Sequence, residues 1–529
     1  MAASDVQRHW QAACPNCGAP VEFTSAASAS AVCSFCRSTL LRDGDALRKI
    51  GVSAELIEDY SPLQLGAAGR YSGEAFTLVG RLQFGYAQGT WNEWHALFDS
   101  GRSGWLSEDN GSFVLAFDAK LDERLPQAHE LVLGTQQVLA GQAWSVAALT
   151  TAQVLAAQGE LPRPPTLQRE FLIAELRNAR DEVGTLDYSD ADRPQWSVGC
   201  PVRLTELAMT GLREASSRAV ASRSLPCPSC GAPLEAKLAS TQSIVCGQCK
   251  AVVDLSHGAG ADLAHYAQQI GMQPQLPMGG TALLAVTAGK PLRWQIVGYQ
   301  ERCDLPDSGE DEQTFWREYL LFNQQEGFAF LVDTDEGWSL VRPLTGAPPG
   351  SANGVEWQGQ TFRRKFRYAA KVTYVLGEFY WRVEREARAQ VTDYEAQTGN
   401  AVLSSEQTGN EITWSYGRKL DAAEVAHAFE LAGSKTPALA RDAASIGSTG
   451  SLLRKIAIGV FILIVIVLLL RSCSGGDDCK QYRDSYGEAS AEYAQCKQSS
   501  GGGRIYPGGG GSYGGGSYGG YSGGGGGHK

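Results

Sequence analysis

Short alternating runs of apolar and polar residues, broken by Gly, Asp and Asn, recur along most of the chain. Residues 75–83 (AFTLVGRLQ) alternate over much of their length, and the runs at 94–98 and 112–117 are separated by a glycine-containing turn. Such runs are typical of antiparallel strands joined by hairpins. Helical periodicity is sparse and occurs mainly near 203–217 and 422–431, close to the ends of the predicted domains. The pattern therefore predicts a mainly β protein built from small antiparallel barrels or sandwiches.

The same motifs occur twice, which indicates a tandem duplication. The second set of four cysteines begins 213 residues after the first, and a Trp-x-Glu-aromatic motif at 91–94 recurs at 316–319. The other matched pairs are Val79-Gly80 with Val297-Gly298, Gly159-Glu160 with Gly377-Glu378, Trp196 with Trp414, and Asp187-Tyr188 with Asp393-Tyr394. Two units make a duplication and not a solenoid.

Eight of the thirteen cysteines form two identical patterns, in which two Cys-x-x-Cys pairs are separated by fifteen residues. Their members are Cys14, Cys17, Cys33 and Cys36, and Cys227, Cys230, Cys246 and Cys249. Each pair places two thiolates on one tight turn, and two such turns supply the four-sulfur shell that Zn²⁺ prefers. The sequence predicts two zinc ribbons, each with one structural Zn²⁺. Pairs of disulfides are the alternative.

An apolar segment near the C-terminus predicts a transmembrane helix. Residues 456–470 (IAIGVFILIVIVLLL) are uncharged, and their neighbours extend them toward the ~20 residues of a membrane span. A buried core helix is the alternative. Arg454 and Lys455 precede the segment, whereas Asp477 and Asp478 follow it, a weak positive-inside bias for the N-terminal side. Reduced zinc ligands also suit the cytosol. We expect a single-pass protein with cytoplasmic N-terminal domains and an outer tail.

The tail after this segment predicts a flexible region. Residues 501–529 contain seventeen glycines with interspersed Tyr and Ser, a composition that does not support a packed core. Cys479 and Cys496 are placed to form a disulfide outside the membrane, which leaves Cys473 unpaired. The predicted organisation is a zinc ribbon at 10–45, a β-domain at 55–215, a second ribbon at 222–256, a second β-domain at 272–432, a linker at 433–451, a membrane helix at 452–472 and a disordered tail at 473–529.

Charge and missing motifs argue against two classes of protein. The net charge is −11, and the basic residues that flank the apolar segment leave the N-terminal part still more acidic. Nucleic-acid binding is therefore not expected, because it needs a basic face. The sequence contains no phosphate-binding loop, no HExxH and no GxSxG nucleophile elbow, since Gly-x-Ser-x-Gly occurs only within the Gly-rich tail at 510–514, 515–519 and 520–524. No residue is therefore assigned to catalysis.

Two sets of short motifs, one in each copy, resemble a known family of domains. Residues 63–70 (LQLGAAGR), 76–82, 91–98, 104–106 and 185–190 (TLDYSD) are similar to the bacterial domain-of-unknown-function 4178 family, and 316–322, 377–381 and 392–394 resemble a diverged second member. The family has no established activity. Its members tend to be encoded beside membrane-stress and membrane-remodelling proteins, so the resemblance implies a bacterial envelope context.

Recurring carboxylates beside aromatic residues are the candidate ligand positions. They are Trp91, Glu93, Trp94 and Asp187 in the first copy, and Trp316, Glu318, Tyr319 and Asp393 in the second. A carboxylate beside an aromatic ring can recognise a cation, although a purely structural role is the preferred interpretation. The leading hypothesis is a non-catalytic, membrane-anchored adaptor that binds a protein partner at the inner face of a bacterial membrane. The alternative is a sensor of a small, polyamine-like cation.

Overall fold

The chain folds almost entirely into β-structure. The computed structural model describes residues 10–23, 28–43, 46–53, 61–87, 89–109, 112–121, 123–213, 224–236, 238, 241–255, 263–268, 271, 273–286, 291–306, 313–323, 326–351, 353–384, 386–431 and 439–440. Strands dominate these residues, and the helices among them are single short turns or two-turn segments. The prediction of a mainly β protein is confirmed.

Five strands form the first cysteine-containing unit, called ribbon 1 below. They are β1 (Trp10–Ala13), β2 (Pro20–Phe23), β3 (Ser30–Val32), β4 (Ser38–Asp43) and β5 (Ala46–Val52). β1 pairs with β2, and β3, β4 and β5 pair in sequence order, all antiparallel. Each cysteine pair lies in the connection of one hairpin, β1–β2 or β3–β4, so the two hairpins bring the four thiols together.

The next ten strands form the first β-domain. They are β6 (Ala68–Tyr71), β7 (Glu74–Tyr86), β8 (Gly89–Phe98), β9 (Ser103–Asp109), β10 (Ser112–Asp118), β11 (Gln136–Leu139), β12 (Gln142–Leu161), β13 (Glu170–Arg177), β14 (Val183–Asp187) and β15 (Gln195–Val202). Their antiparallel pairings form a closed circuit, called circuit 1, in the order β7–β8–β9–β10–β15–β14–β13–β12 and back to β7. β6 and β11 add to β7 and β12.

The second half of the chain repeats this arrangement. Ribbon 2 contains β16 (Ser224–Pro226), β17 (Pro233–Glu235), β18 (Ser243–Val245), β19 (Val252–Asp254) and β20 (His265–Tyr266). The second β-domain contains β21 (Thr281–Leu284), β22 (Leu292–Leu305), β23 (Phe315–Asn323), β24 (Gly327–Thr334), β25 (Gly337–Leu344), β26 (Gly350–Ser351), β27 (Gly354–Trp357), β28 (Gln360–Phe379), β29 (Arg388–Ala396), β30 (Ala401–Thr408) and β31 (Glu411–Leu420). Circuit 2 runs β22–β23–β24–β25–β31–β30–β29–β28 and back to β22.

Each ribbon is joined to its β-domain by strand pairing. Val32 of β3 pairs with Gly159 of β12, and Ile244 of β18 pairs with Glu378 of β28. Gly159 and Gly377 have positive φ angles of 71° and 87°. A Cβ at either position would overlap a main-chain carbonyl of the crossing strand. Glycine is therefore required at the point where β12 or β28 pairs both with a strand of its own circuit and with a strand of the ribbon.

Large aromatic side chains lie in the core clusters of both β-domains. Trp94 packs with apolar residues of β7–β10 in circuit 1. Trp316 and Trp381 belong to one core cluster of circuit 2, and Trp338 belongs to a second. All four are almost completely buried. Burying such a side chain contributes about 1.5–3 kcal/mol or more, so these clusters account for the alternating apolar pattern of the strands.

The two repeats contact one another directly. Ala148 in β12 forms a bridge with Glu411 in β31, and the Leu149 N–H donates a hydrogen bond of 3.0 Å to the Asn410 carbonyl. A loop contact adds to this, because the Gly346 N–H donates to an Asp181 carboxylate oxygen at 2.9 Å. The duplicated units are thus held together by main-chain as well as side-chain hydrogen bonds.

Helices are short among the described residues. η1 (Ala128–Glu130) is a single 3-10 turn, and α1 (Ala422–Ala428) follows β31, where the sequence pattern predicted a helix. The described part of 203–217 forms a turn and not the predicted helix, because Ala208 takes a positive φ of 47° and Thr210 then pairs with Ala68. No described helix has the length and apolar character to span a bilayer. The apolar segment 456–470, the Gly-rich tail and the last three cysteines lie outside the described residues.

Candidate metal centres

The four cysteines of each ribbon lie on two tight knuckles with the same main-chain geometry. In ribbon 1 the Gly18 N–H donates to the Cys14 carbonyl at 2.8 Å, and the Arg37 N–H donates to the Cys33 carbonyl at 2.9 Å. Gly18 and Arg37 both have positive φ angles, of 75° and 56°. This left-handed residue after each Cys-x-x-Cys turns the chain back, so that main-chain N–H groups surround the sulfur atoms. A glycine suits the position without strain.

Ribbon 2 reproduces this geometry residue for residue. The Gly231 N–H donates to the Cys227 carbonyl at 2.8 Å, and the Lys250 N–H donates to the Cys246 carbonyl at 3.0 Å. Gly231 and Lys250 have φ angles of 74° and 60°. The first knuckle thus ends on glycine and the second on a basic residue in both ribbons, which supports a common origin.

The thiols of each ribbon converge on one point. All four sulfur atoms of each set lie within 4.8 Å of one another. The Sγ atoms of Cys14 and Cys36 are 3.6 Å apart, and those of Cys227 and Cys249 are 3.7 Å apart. A disulfide needs about 2.05 Å, and all eight cysteines are free thiols. The arrangement is therefore a pair of four-sulfur clusters able to bind a metal ion, with no vacant coordination position for a substrate.

The surroundings favour the thiolate form at one cysteine of each cluster. Hydrogen bonding with the side chain and main chain of Ser38 lowers the pKa of Cys36 to about 5. Hydrogen bonding with the main chain of Ala251 lowers the pKa of Cys249 to about 6. Metal ligation requires thiolates. Against a main-chain hydrogen bond that lowers it, hydrogen bonding with neighbouring thiols raises the pKa of Cys17 and of Cys230 to about 12, so metal binding would displace protons from each cluster.

The predicted ligand position Glu318 lies inside circuit 2. It is buried on β23 and accepts hydrogen bonds from Trp316 Nε1 at 2.8 Å and Gln300 Nε2 at 2.6 Å. Arg302 pairs with it at 3.1 Å and with Glu406 at 2.6 Å. All these side chains are buried, so the acidic charge of Glu318 already has a guanidinium partner within the protein. This geometry favours the structural role of the carboxylate.

The matching residues of circuit 1 are also buried, but their partners differ. Glu93 lies on β8 opposite Leu82. Trp94 donates from Nε1 to Glu108 at 3.0 Å, and the ring of Trp91 stacks on a phenylalanine with centroids 4.8 Å apart. That phenylalanine, Phe84, stands where circuit 2 has Arg302. Tyr319, the counterpart of Trp94, accepts hydrogen bonds from the main-chain N–H groups of 275 and 276.

The correspondence of Asp187 with Asp393 is wrong. Asp187 ends β14, whereas Asp393 lies in β29, and β29 has the circuit position of β13. A bulge shifts the β12–β13 register before Ala148 pairs with Glu175, and a bulge at the same place precedes the pairing of Phe366 with Asp393. Glu175 is therefore the counterpart of Asp393. The repeated Asp-Tyr dipeptide misled the comparison because two identical residues carry less information than strand register.

The two aspartates have different surroundings. Asp187 accepts a hydrogen bond of 2.7 Å from the Ser189 N–H and so holds a turn. Asp393 is buried and accepts a hydrogen bond of 2.8 Å from the Tyr368 hydroxyl.

The sequence pattern did not single out four charged residues, of which Glu411 is half-buried and the other three are buried. They are Arg302 and Glu406 in circuit 2, and Glu175 and Glu411 where the repeats meet. Arg302 and Glu406 lie 104 residues apart, and neither belongs to a local motif. The available signal for Arg302 was the difference between the two copies, because the second copy has a charged residue where the first has the apolar Phe84.

The family model for a domain of unknown function, DUF4178, matches residues 64–204 and 291–422. The two matches cover more than half of the chain and coincide with the two β-domains, which confirms the tandem duplication. No curated protein and no solved structure gives a significant match.

Proposed function

The chain belongs to the DUF4178 family, and we propose that it is a membrane-anchored, non-catalytic scaffold whose two β-modules are each held by a structural Zn²⁺. The observation that carries the proposal is the continuity of ribbon and β-domain. β3 adds to β12 and β18 adds to β28 in the same antiparallel manner. Strand pairing thus attaches each ribbon firmly to its β-domain. A binding surface needs such a defined arrangement of its parts.

Zinc is the metal that the donor set fits best. Four Cys ligands in a closed tetrahedron are typical of structural zinc, with Zn–S distances of about 2.3 Å. A regular tetrahedron of that size has sulfur–sulfur edges of about 3.8 Å, close to the 3.6 and 3.7 Å separations of the paired thiols. The eight ligands would be Cys14, Cys17, Cys33, Cys36, Cys227, Cys230, Cys246 and Cys249. The ion would hold two hairpins together and leave no open position for chemistry.

The burial of the Trp-x-Glu carboxylates favours a binding role at the surface of the modules. The carboxylates of the Trp-x-Glu motifs are buried, and that of Glu318 is engaged by Arg302. We infer that these groups stabilise the two circuits, which in this proposal are small barrels. The surface of the modules, and not their interior, would bind the partner.

The proposed location is the inner face of a bacterial membrane. The apolar segment 452–472 would cross the bilayer once and leave both modules in the cytoplasm with the Gly-rich tail outside. A tether of this kind raises the local concentration of the modules at the membrane. A protein partner in envelope stress or membrane remodelling fits that position and the genetic neighbourhood typical of the family.

The experiment is affinity purification of the full chain after mild crosslinking in intact cells, followed by mass spectrometry. The matched control is the same chain lacking 452–472. We expect a stoichiometric envelope protein with the full chain and its loss from the membrane fraction with the deletion. Membrane recovery that does not depend on 452–472, or a full chain that recovers no partner, would contradict the proposal.

A further inference from the structure

Ribbon 1 exposes a large aromatic side chain at the tip of a metal knuckle. Phe35 stands between Cys33 and Cys36, and 72% of its surface is accessible to solvent. It is the most exposed large apolar side chain in the described part of the chain. The neighbouring Arg37 fixes the knuckle through its left-handed main chain, so the ring projects from a rigid turn and not from a loose loop.

The strand beside this knuckle is also exposed. β5 pairs only with β4 among the described strands, and it carries Ile50 and Val52 with exposures of 41% and 55%. Val52 lies opposite Ser38, two residues after the knuckle. The Ser53 N–H donates to the Arg37 carbonyl at 2.8 Å, which holds the end of β5 against the knuckle.

Exposed cations stand beside these apolar side chains in the sequence. Arg37, Arg48 and Lys49 are exposed, and Lys49 Nζ donates a hydrogen bond of 2.7 Å to Asn16 Oδ1 in the other knuckle. Phe35, Arg37, Arg48, Lys49, Ile50 and Val52 together are called the knuckle patch. The patch is basic although the whole chain carries a net charge of −11.

Ribbon 2 does not carry such a patch at the equivalent position. The residue between Cys246 and Cys249 that corresponds to Phe35 is Gln248. Lys250 matches Arg37, and its ammonium donates to the Gly247 carbonyl at 2.7 Å. The metal-binding geometry is the same in both ribbons, so the patch is not required for metal binding.

We propose that the knuckle patch binds the anionic phospholipid surface of the membrane, with Phe35 inserted among the acyl chains and the cations at the headgroups. An apolar ring at the tip of a rigid turn, flanked by Arg and Lys, has the composition of interfacial membrane-binding segments. The basic charge complements anionic lipid. This inference rests on the proposed membrane anchor.

The knuckle patch alone is expected to bind anionic lipid only weakly, which is why the membrane anchor matters. Each Lys or Arg near an anionic surface strengthens binding about fivefold, so three cations and one aromatic ring give weak, salt-sensitive binding. A second attachment point makes such binding effective, as two signals are needed for stable anchoring. Three cations on a strongly acidic body are too few for sustained nucleic-acid binding, which needs a basic face.

The test places a photoreactive benzoylphenylalanine at Phe35 of the full-length chain in nanodiscs. The discs contain phosphatidylcholine alone or with phosphatidylglycerol, and the control carries the same residue at Gln248. We expect lipid adducts at position 35 several-fold above those at 248, and more of them with phosphatidylglycerol. Arg48→Glu should reduce the adducts at position 35 to about the level at position 248 while two zinc ions per chain remain. Equal adducts at the two positions, or adducts to protein or nucleic acid only, would overturn the proposal.

A separate measurement keeps the patch and the anchor distinguishable. If the full chain does not enter the discs, the membrane anchor of the proposed function fails. The chain lacking 452–472 is then floated with phosphatidylglycerol vesicles at low salt, with Phe35→Ser as the variant. Flotation lost in Phe35→Ser supports the patch by itself, and no flotation of the parent overturns it.

Discussion

Glu175 and Glu411, one from each repeat, pair with the same residue, Ala148, on opposite edges of β12. Burial and the charge of Glu175 raise the pKa of Glu411 to about 8. Burial also raises the pKa of Glu175, against the effect of its ion pair with Arg177. The contact between the repeats therefore places two carboxylates close together beside the Arg177 guanidinium.

Glu411→Gln should stabilise the protein increasingly as the pH rises. Folded Glu411 holds its proton up to about pH 8, whereas the ordinary value is 4.5. The folded state therefore binds more protons than the unfolded state between these values, and the parent loses stability as the pH rises through that window. We expect a melting temperature a few degrees above the parent at pH 8 and a smaller difference at pH 5, measured by thermal unfolding.

The matched control is Glu424→Gln, since Glu424 lies in an exposed ion pair with Arg418. Its effect should be small at every pH. If the difference in melting temperature between Glu411→Gln and the parent instead becomes smaller as the pH rises, Glu411 is ionised in the folded state and the prediction is wrong.

Features that depend on short spacing could be predicted from the sequence. The four-Cys clusters follow from two Cys-x-x-Cys turns fifteen residues apart, and the strands of both copies follow from alternation. The glycines at 80 and 159 were found as repeated dipeptides, but their purpose is visible only in the structure, where β7 and β12 cross. Local patterns fix local conformation, and strand register fixes which side chains meet.

The buried charges could not be predicted for the same reason. Glu318 was identified from its aromatic neighbours, but its partner Arg302 is set by the pairing of β22 with β23, and Glu406 comes from β30. A sequence motif shows a carboxylate without the charge that neutralises it. The structural role of Glu318 is therefore visible only in the fold, where strands distant in the sequence bring Arg302 and Glu406 beside it.

Arg302→Met should strongly destabilise circuit 2. The substitution removes the guanidinium that pairs with both buried carboxylates, Glu318 and Glu406. Breaking a buried ion pair in this way costs about 3–5 kcal/mol. Burial already raises the pKa of Glu406, so removal of the guanidinium would raise it further and the loss should be greater at pH 8 than at pH 5. Urea unfolding at the two pH values measures it.

Two further variants define the cause. The triple variant Arg302→Met, Glu318→Gln, Glu406→Gln should recover much of the loss, because no charge remains buried. Arg418→Met removes an exposed pair and should cost less than about 1 kcal/mol. An equal cost for Arg302→Met and Arg418→Met would contradict the buried-cluster account.

Gly159→Ala and Gly377→Ala should each destabilise the junction of ribbon and β-domain. Both residues have positive φ, and a Cβ would overlap the carbonyl oxygen of Val79 or Val297. We expect a cost of roughly 2–4 kcal/mol from strain and overlap. Amide hydrogen exchange should rise first in the strands next to the substituted glycine. Gly51→Ala, where a Cβ would contact no other atom within 4 Å, should change stability by less than about 0.5 kcal/mol.

Removal of one zinc ligand should unfold one ribbon and leave the other metal centre intact. The parent should contain two zinc ions per chain by elemental analysis, Cys14→Ser or Cys227→Ser one, and the double variant none. Structural zinc contributes folding energy directly, so hydrogen exchange in Cys14→Ser should rise in ribbon 1 and along the part of β12 that pairs with β3. Cys200→Ser is the control, because Cys200 lies in β15 outside both clusters. A parent without zinc, or exchange that rises equally in both ribbons of Cys14→Ser, would show that the clusters are not independent structural zinc sites.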